Sequence, residues 1–278
     1  MLRGLTRAGL GEIGKDELFI EQAARYGFQA VEADAGSLIR THGLEGAREL
    51  LKASGVTLGS MGLPVEWRGT EEQFRSGLAA LAAGAEAASA LGCDVCCTYI
   101  LPSTDQPAAS FAIAAVRRLK TIASVLDAYG MKFGLEFVGP HHLRTLFKNP
   151  FIYGMEDTLA LIDAMGSPNA GLLLDSYHWH TNGLGPEDIE KLSAHRIAYV
   201  HVNDAKDLPI DRLLDNDRLY PGEGSIDLAG FLRSLRKIGY EGIVAQEVLL
   251  PHPVTQTGQE TLQRSKEGFD RIFSGLDG

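Results

Sequence analysis

Short apolar runs alternate with longer amphipathic stretches from one end of this chain to the other. Leu2 to Arg7 reads as a first strand, followed by a helix from about Asp16 to Tyr26 with Asp16 as its N-cap. Ala30 to Asp34 (AVEAD) is strand two, Leu44 to Ser54 a helix stopped by Gly55, and Val56 to Leu63 strand three. An Ala-rich helix runs from Thr70 to Leu91, Asp94 to Ile100 is strand four, and Ser110 to Tyr129 keeps helical spacing until Gly130. Lys132 to Val138 is strand five. After a long connection that bears His and Arg residues, Glu156 to Met165 is helical and Gly171 to Asp175 is strand six. Pro186 opens a short helix at the position where proline is tolerated. Ile197 to Val202 is strand seven, and the next connection carries DNDRLYPGEG. Asp227 caps a helix to Ile238, Gly242 to Val248 is strand eight, and Gln259 to Ser274 closes the pattern as a helix.

Eight strands alternating with eight helices, with no Pro/Ser-rich linker and no break in composition, predict an α/β protein. The favoured form is a single (β/α)8 TIM barrel spanning residues 1–278 as one domain. A doubly wound sheet is the alternative. Gly9, Gly11 and Gly14 match G-x-G-x-x-G between the first strand and the first helix, and Asp34 lies where a ribose-binding acid would. Arg3 and Arg7 speak against it, because the first strand of such a sheet is buried on both faces and should be apolar throughout.

Composition narrows the partners. A net charge of −10 disfavours nucleic acid and anionic membrane surfaces, so a small neutral ligand is expected. No stretch approaches the roughly 18 apolar residues of a membrane span, and the N-terminus does not show the layout of a secretory signal; a cytoplasmic enzyme is the expectation. Cys93, Cys96 and Cys97 contain a formal C-x-x-C, but strand alternation turns Cys96 away from the face shared by the other two, and buried thiols are the better reading.

Chemistry gathers where four apolar runs stop. AGLLLDSYHWH (Ala170 to His180) ends in Asp175, Tyr177 and two histidines, VHVND holds His201, GLEF holds Glu136 and VAQEV holds Glu247. In a barrel these positions fall at the C-terminal ends of strands, where function sits. One such residue alone is readily a cap or a hydrogen-bonded core group. Four together, with Glu136 and Glu247 inside strand cores where an unpaired charge is costly, point to a bound cation. Three carboxylates and one imidazole suit a single divalent ion such as Mn²⁺, Zn²⁺, Co²⁺ or Mg²⁺ with coordination positions left for substrate oxygens. Two opposed glutamates around such an ion are the equipment for moving a proton through an enediolate, and so for isomerising or epimerising an α-hydroxy ketone.

The segments EFVG at Glu136, LDSYHWH at Asp175 and His178, HVND at His201, DRLYPGEGSID at Arg218 and QEV at Glu247 resemble the xylose-isomerase-like sugar isomerase/epimerase superfamily over nearly the whole chain. The run HVNDAKDLPIDRLLDNDRLYPGEGSIDL is most similar to the inosose (2-keto-myo-inositol) isomerase branch. The resemblance implies a metal held by Glu136, Asp175, His201 and Glu247, with Glu136 and Glu247 as the acid/base pair. It further implies that His178 and Arg218 reach substrate oxygens, that the substrate is a sugar or cyclitol, and that a homodimer is the assembly to expect.

Where the ketose 3-epimerases of that superfamily continue with Asn-Arg-Phe-Glu, this chain reads EFVGPHHLRT, with His142 in place of the second acid, which disfavours a free-ketose 3-epimerase. The connection LLPHPVTQT lacks a glycine-rich phosphate cradle, so an unphosphorylated substrate is expected. A lyase or dehydratase using the same base, and a non-catalytic sugar-binding barrel, stay open beside the isomerase. His141, His142 and Arg144 either line the pocket or form a solvent-facing cluster, and Trp179 either stacks on a sugar or packs on a helix. PGEG (Pro221 to Gly224) shapes the loop that carries Arg218. Asp204 either orients His201 or caps the following loop, the former being favoured.

Overall fold

The computed structural model describes residues 1–276. The chain opens with β1 (Leu2–Leu5), α1 (Asp16–Arg25), β2 (Ala30–Val31) and α2 (Ala35–Ser54), then β3 (Thr57–Leu58), β4 (Met61–Gly62) and α3 (Glu71–Ala90). It continues with β5 (Val95–Ile100), β6 (Ser103–Thr104), α4 (Ala108–Asp127), β7 (Lys132–Phe137), α5 (His141–Arg144), β8 (Asn149–Pro150) and α6 (Met155–Met165). The last third holds β9 (Ala170–Asp175), α7 (Ser176–Thr181), α8 (Pro186–Glu190), β10 (Ile197–Val202), α9 (Leu228–Lys237), β11 (Ile243–Gln246) and α10 (Gly258–Ser274).

One parallel sheet runs β3-β2-β1-β11-β10-β9-β7-β5-β4. Its two ends, β3 and β4, are halves of the third strand, interrupted only at Gly59 and Ser60, with β3 paired to β2 and β4 paired to β5. The ring is therefore closed. The eight staves make a TIM barrel, and closure excludes the doubly wound alternative. Val95, Leu173, Ala198, Tyr199 and Ala245 pack together with Cys97 and Ile243 as a cluster separate from the larger strand–helix core. A Cβ on Gly134 would lie 2.8 Å from Cys97 Sγ, so only glycine fits that inner layer. Cys96 belongs to the strand–helix core instead, as strand alternation requires. Burial pushes the Cys93 thiol up to about 11, and all three cysteines are free.

Helices end where the local chemistry dictates. Thr70 with Gln73 and Thr257 with Glu260 form capping boxes at α3 and α10, and Gly55 and Gly166 close α2 and α6 in the left-handed conformation. Departures from the expected elements are local. α2 starts at Ala35 rather than Leu44, because Ala35 and Leu38 supply a buried turn before a kink at Gly43, whose φ is 70°. Arg7 lies past β1 and bonds Gly14 O and Asp16. The three glycines of GLGEIG take φ of 81°, 68° and 77° and shape the loop, while Asp34 pairs with Arg40 at 3.5 Å. Among the described residues no helix is long and apolar enough to cross a membrane.

Candidate metal centre

The strands β7, β9, β10 and β11 are consecutive neighbours in the ring, and each ends with one member of the expected set. Glu136 is the penultimate residue of β7, Asp175 the last of β9, His201 lies near the end of β10, and Glu247 follows β11 directly. His201 is in register with Asp175, whereas Glu136 lies opposite Leu173 and Glu247 two residues past His201's partner Ala245, so the four approach the C-terminal mouth from staggered positions. One donor atom from each lies within 4.8 Å of the others.

Two of these atoms have nothing to bond. Glu136 Oε1 and His201 Nδ1 are buried without a hydrogen-bond partner, 3.8 Å apart, and Glu247 Oε2 is 3.7 Å from the same Nδ1. A buried orphan oxygen facing a buried orphan nitrogen costs free energy unless a cation sits between them. The surrounding charge agrees: Asp175, Asp215 and Glu247 share the Arg218 guanidinium, while Glu32 and Glu136 face the His201 ring. The donor set therefore fits a divalent ion. Burial, with Glu136 and Asp175 nearby, raises the Glu247 carboxyl above its ordinary range against the pull of His201 and Arg218. For His201 burial works downward, but Glu247, Glu136 and Glu32 outweigh it and the imidazole is raised. Protons are drawn to the place a cation would neutralise.

Asp175, fully buried, serves four neighbours. Its Oδ1 accepts from Tyr177 N at 2.6 Å and His178 N at 3.2 Å, capping α7, and its Oδ2 accepts from Asn203 Nδ2 at 2.9 Å and an Arg218 Nη at 3.1 Å. That cap sets His178 beside the cluster: Gly139 N donates to its Nδ1, so its Nε2 faces Glu136 and Asp215 at 3.8 and 3.9 Å. Arg218 is 1% exposed. Its guanidinium donates to Asp175, to Glu247 Oε2 at 3.0 Å and to Asp215 Oδ1 at 2.8 Å, so it holds two members of the candidate donor set in place.

One expected role is corrected. Asp204 does not orient His201: its carboxylate accepts from the backbone N–H groups of Ala205, Gly222, Gly224 and Ile226, pinning the PGEG turn. A carboxylate so fully engaged has no lone pair directed at an imidazole. His201 Nε2 instead meets Glu32 Oε1 at 3.1 Å. Glu32 and Asp215 were both missed by the sequence reading. AVEAD carries the signal that found Glu136, a carboxylate ending an apolar strand, whereas Asp215 is one acid among several in a polar loop.

Of the remaining candidates, Arg144 and Trp179 leave the site. Arg144 donates to Gly139 O and Thr181 O and stacks over Tyr153, so it fastens loops, and His142 is exposed. Trp179 is buried edge-on against Phe231 of α9 and takes the packing role.

Known proteins resemble this chain over different extents. An inosose isomerase of Bacillus velezensis is 34% identical over 156 residues, which are 56% of this chain and 53% of that protein, so the chain spans about half the length of the curated relatives it matches. A xylose isomerase domain protein of Alicyclobacillus acidocaldarius superposes over all of both chains with a TM-score of 0.92 and 32% identity. The IOLI protein with a bound zinc atom superposes over 99% of both chains, with a TM-score of 0.83 at 23% identity, a likeness of fold. Residues 20–267 match the family described as xylose isomerase-like TIM barrel, and the chain belongs to that family.

Proposed function

We propose that this protein is a divalent-metal-dependent isomerase or epimerase of an unphosphorylated keto-polyol, an inosose or a close relative, working through an enediolate. The observation that carries the reading is the pair of orphaned buried atoms, Glu136 Oε1 and His201 Nδ1, inside a cluster completed by Asp175 and Glu247. Those four residues would hold the ion, whose chemistry is to polarise a carbonyl oxygen and its neighbouring hydroxyl. Glu136 and Glu247 supply the acid and base, one removing the hydrogen between the two oxygens and the other able to return it. His178, held by Gly139, and the Arg218 edge beside it would receive the substrate's remaining oxygens. The similarity to inosose isomerases, and the zinc of the IOLI protein, support the substrate class and the metal.

The test is proton NMR in D₂O of the metal-loaded protein with a panel of inososes, ketoses and 3-keto-glycosides. Exchange of one C–H with formation of an isomer identifies substrate and reacting carbon together. An unsaturated ketone absorbing in the ultraviolet would make the protein a lyase, and binding without any exchange would make it a sugar-binding barrel.

A further inference from the structure

We infer that Glu32 is a positioning residue: its carboxylate fixes the His201 ring so that the Nδ1 lone pair faces the cluster. This rests on the metal reading above and adds to it a residue from the opposite side of the barrel. Glu32 follows β2, and its backbone N–H donates to Leu5 O at 2.9 Å, which sets its height at the mouth. Its Oε1 lies 3.1 Å from His201 Nε2 and accepts from Ser60 Oγ at 2.9 Å. A carboxylate only accepts, so Nε2 carries the hydrogen and Nδ1 is the ring atom left to bind. Nδ1 is the nitrogen found buried and unpartnered, 3.8 Å from Glu136 Oε1 and 3.7 Å from Glu247 Oε2.

The interruption of the third strand supplies Glu32 with a second partner. Between β3 and β4 the chain leaves the ladder at Gly59 and Ser60, and Ser60 there bonds Glu32. A Cβ on Gly59 would stand 3.4 Å from Glu32 Cγ and would run into the Tyr199 hydroxyl, so the absence of a side chain leaves room for both. Tyr199 in turn packs edge-on to His201, with ring centroids 5.5 Å apart, and limits rotation of the imidazole. Glu32 is the sole carboxylate meeting Nε2 among the described residues, whereas the other three acids lie on the Nδ1 side or bond elsewhere.

The test compares zinc binding by the parent and by Glu32→Met, an apolar side chain of similar length, with Glu32→Gln as the conservative variant. Zinc affinity is measured by competition with a chelator. The His201 ring is followed by nitrogen-15 NMR of the zinc-loaded, histidine-labelled protein. The parent should bind one ion and show a protected Nε2–H. Glu32→Met should bind zinc about 10- to 100-fold more weakly and lose that protection. Glu32→Gln, which keeps an acceptor, should recover the Nε2–H signal and part of the affinity. Should Glu32→Met fail to fold, Ser60→Ala, which frees Glu32 to move, should show a smaller loss in the same two readouts. Parental affinity and ring signal in whichever of these folds, or a Gln variant as weak as the Met variant, overturns the inference and leaves the metal reading intact. A parent that binds no zinc overturns both.

Discussion

Asp175→Asn separates the structural and metal-holding roles of one atom group. The substitution keeps Oδ1, so the cap on Tyr177 N and His178 N survives if the amide oxygen turns toward α7. The new NH₂ then stands where Oδ2 accepted from Asn203 Nδ2 and Arg218, placing donors against donors in a fully buried site. Arg218 retains Glu247 and Asp215, so the cost should sit at the low end for a broken buried pair, about 3 kcal/mol. At 2–4 °C per kcal/mol that is a fall of roughly 6–12 °C in Tm for the metal-free protein. Thermal unfolding by circular dichroism measures it, and elemental analysis after dialysis against zinc should show much less than one ion per chain. A variant with the parental Tm and full metal occupancy would remove Asp175 from the ligand set and show that Arg218 does not depend on it.

Arg218→Lys keeps the charge but cannot reach Asp175, Glu247 and Asp215 in one plane. Losing one charge-assisted hydrogen bond of about 1.5–3 kcal/mol should lower kcat/KM tenfold or more, and parental kinetics would reduce Arg218 to loop support. Asp204→Ala strips the acceptor from four backbone N–H groups and should cost about 3 kcal/mol or more in denaturant unfolding, with little loss of His201 tautomer control because Glu32 provides it. The pH dependence follows from the raised groups. Glu247 and His201 both bind protons more tightly folded than unfolded, so their contribution to the metal-free protein is full below their unfolded values. It is lost as pH rises through the raised folded values. Tm without metal should therefore fall from mildly acidic to alkaline pH, while the increment from added zinc grows; a metal increment independent of pH would contradict this.

Much of this was legible in the chain because the barrel writes function at regular positions. Glu136, Asp175, His201 and Glu247 each end an apolar run, and four neighbouring parallel strands of a closed barrel carry such ends to one mouth. Glu32 ends a run too, but its purpose depends on a partner 169 residues away and on a strand broken at Gly59, which no local pattern encodes. Asp204 failed for a related reason. Its nearness to His201 in sequence suggested contact, whereas residue 204 lies past the end of β10 and its carboxylate meets amides of the 222–226 turn, some twenty residues on. The helix start at Ala35 was hidden by polar residues whose first turn has only Ala35 and Leu38 to bury.

In the proposed reaction Glu136 and Glu247 divide a proton transfer at a site that needs a divalent ion. This is tested most directly by measuring solvent deuterium wash-in to an inosose substrate with the zinc-loaded parent, the chelator-stripped parent, Glu136→Gln and Glu247→Gln. Rapid wash-in is expected only for the loaded parent, with turnover reduced by orders of magnitude in both variants and complete loss of exchange in the one whose glutamate abstracts the proton. Wash-in near the parental rate in both loaded variants, or in the stripped parent, would contradict it.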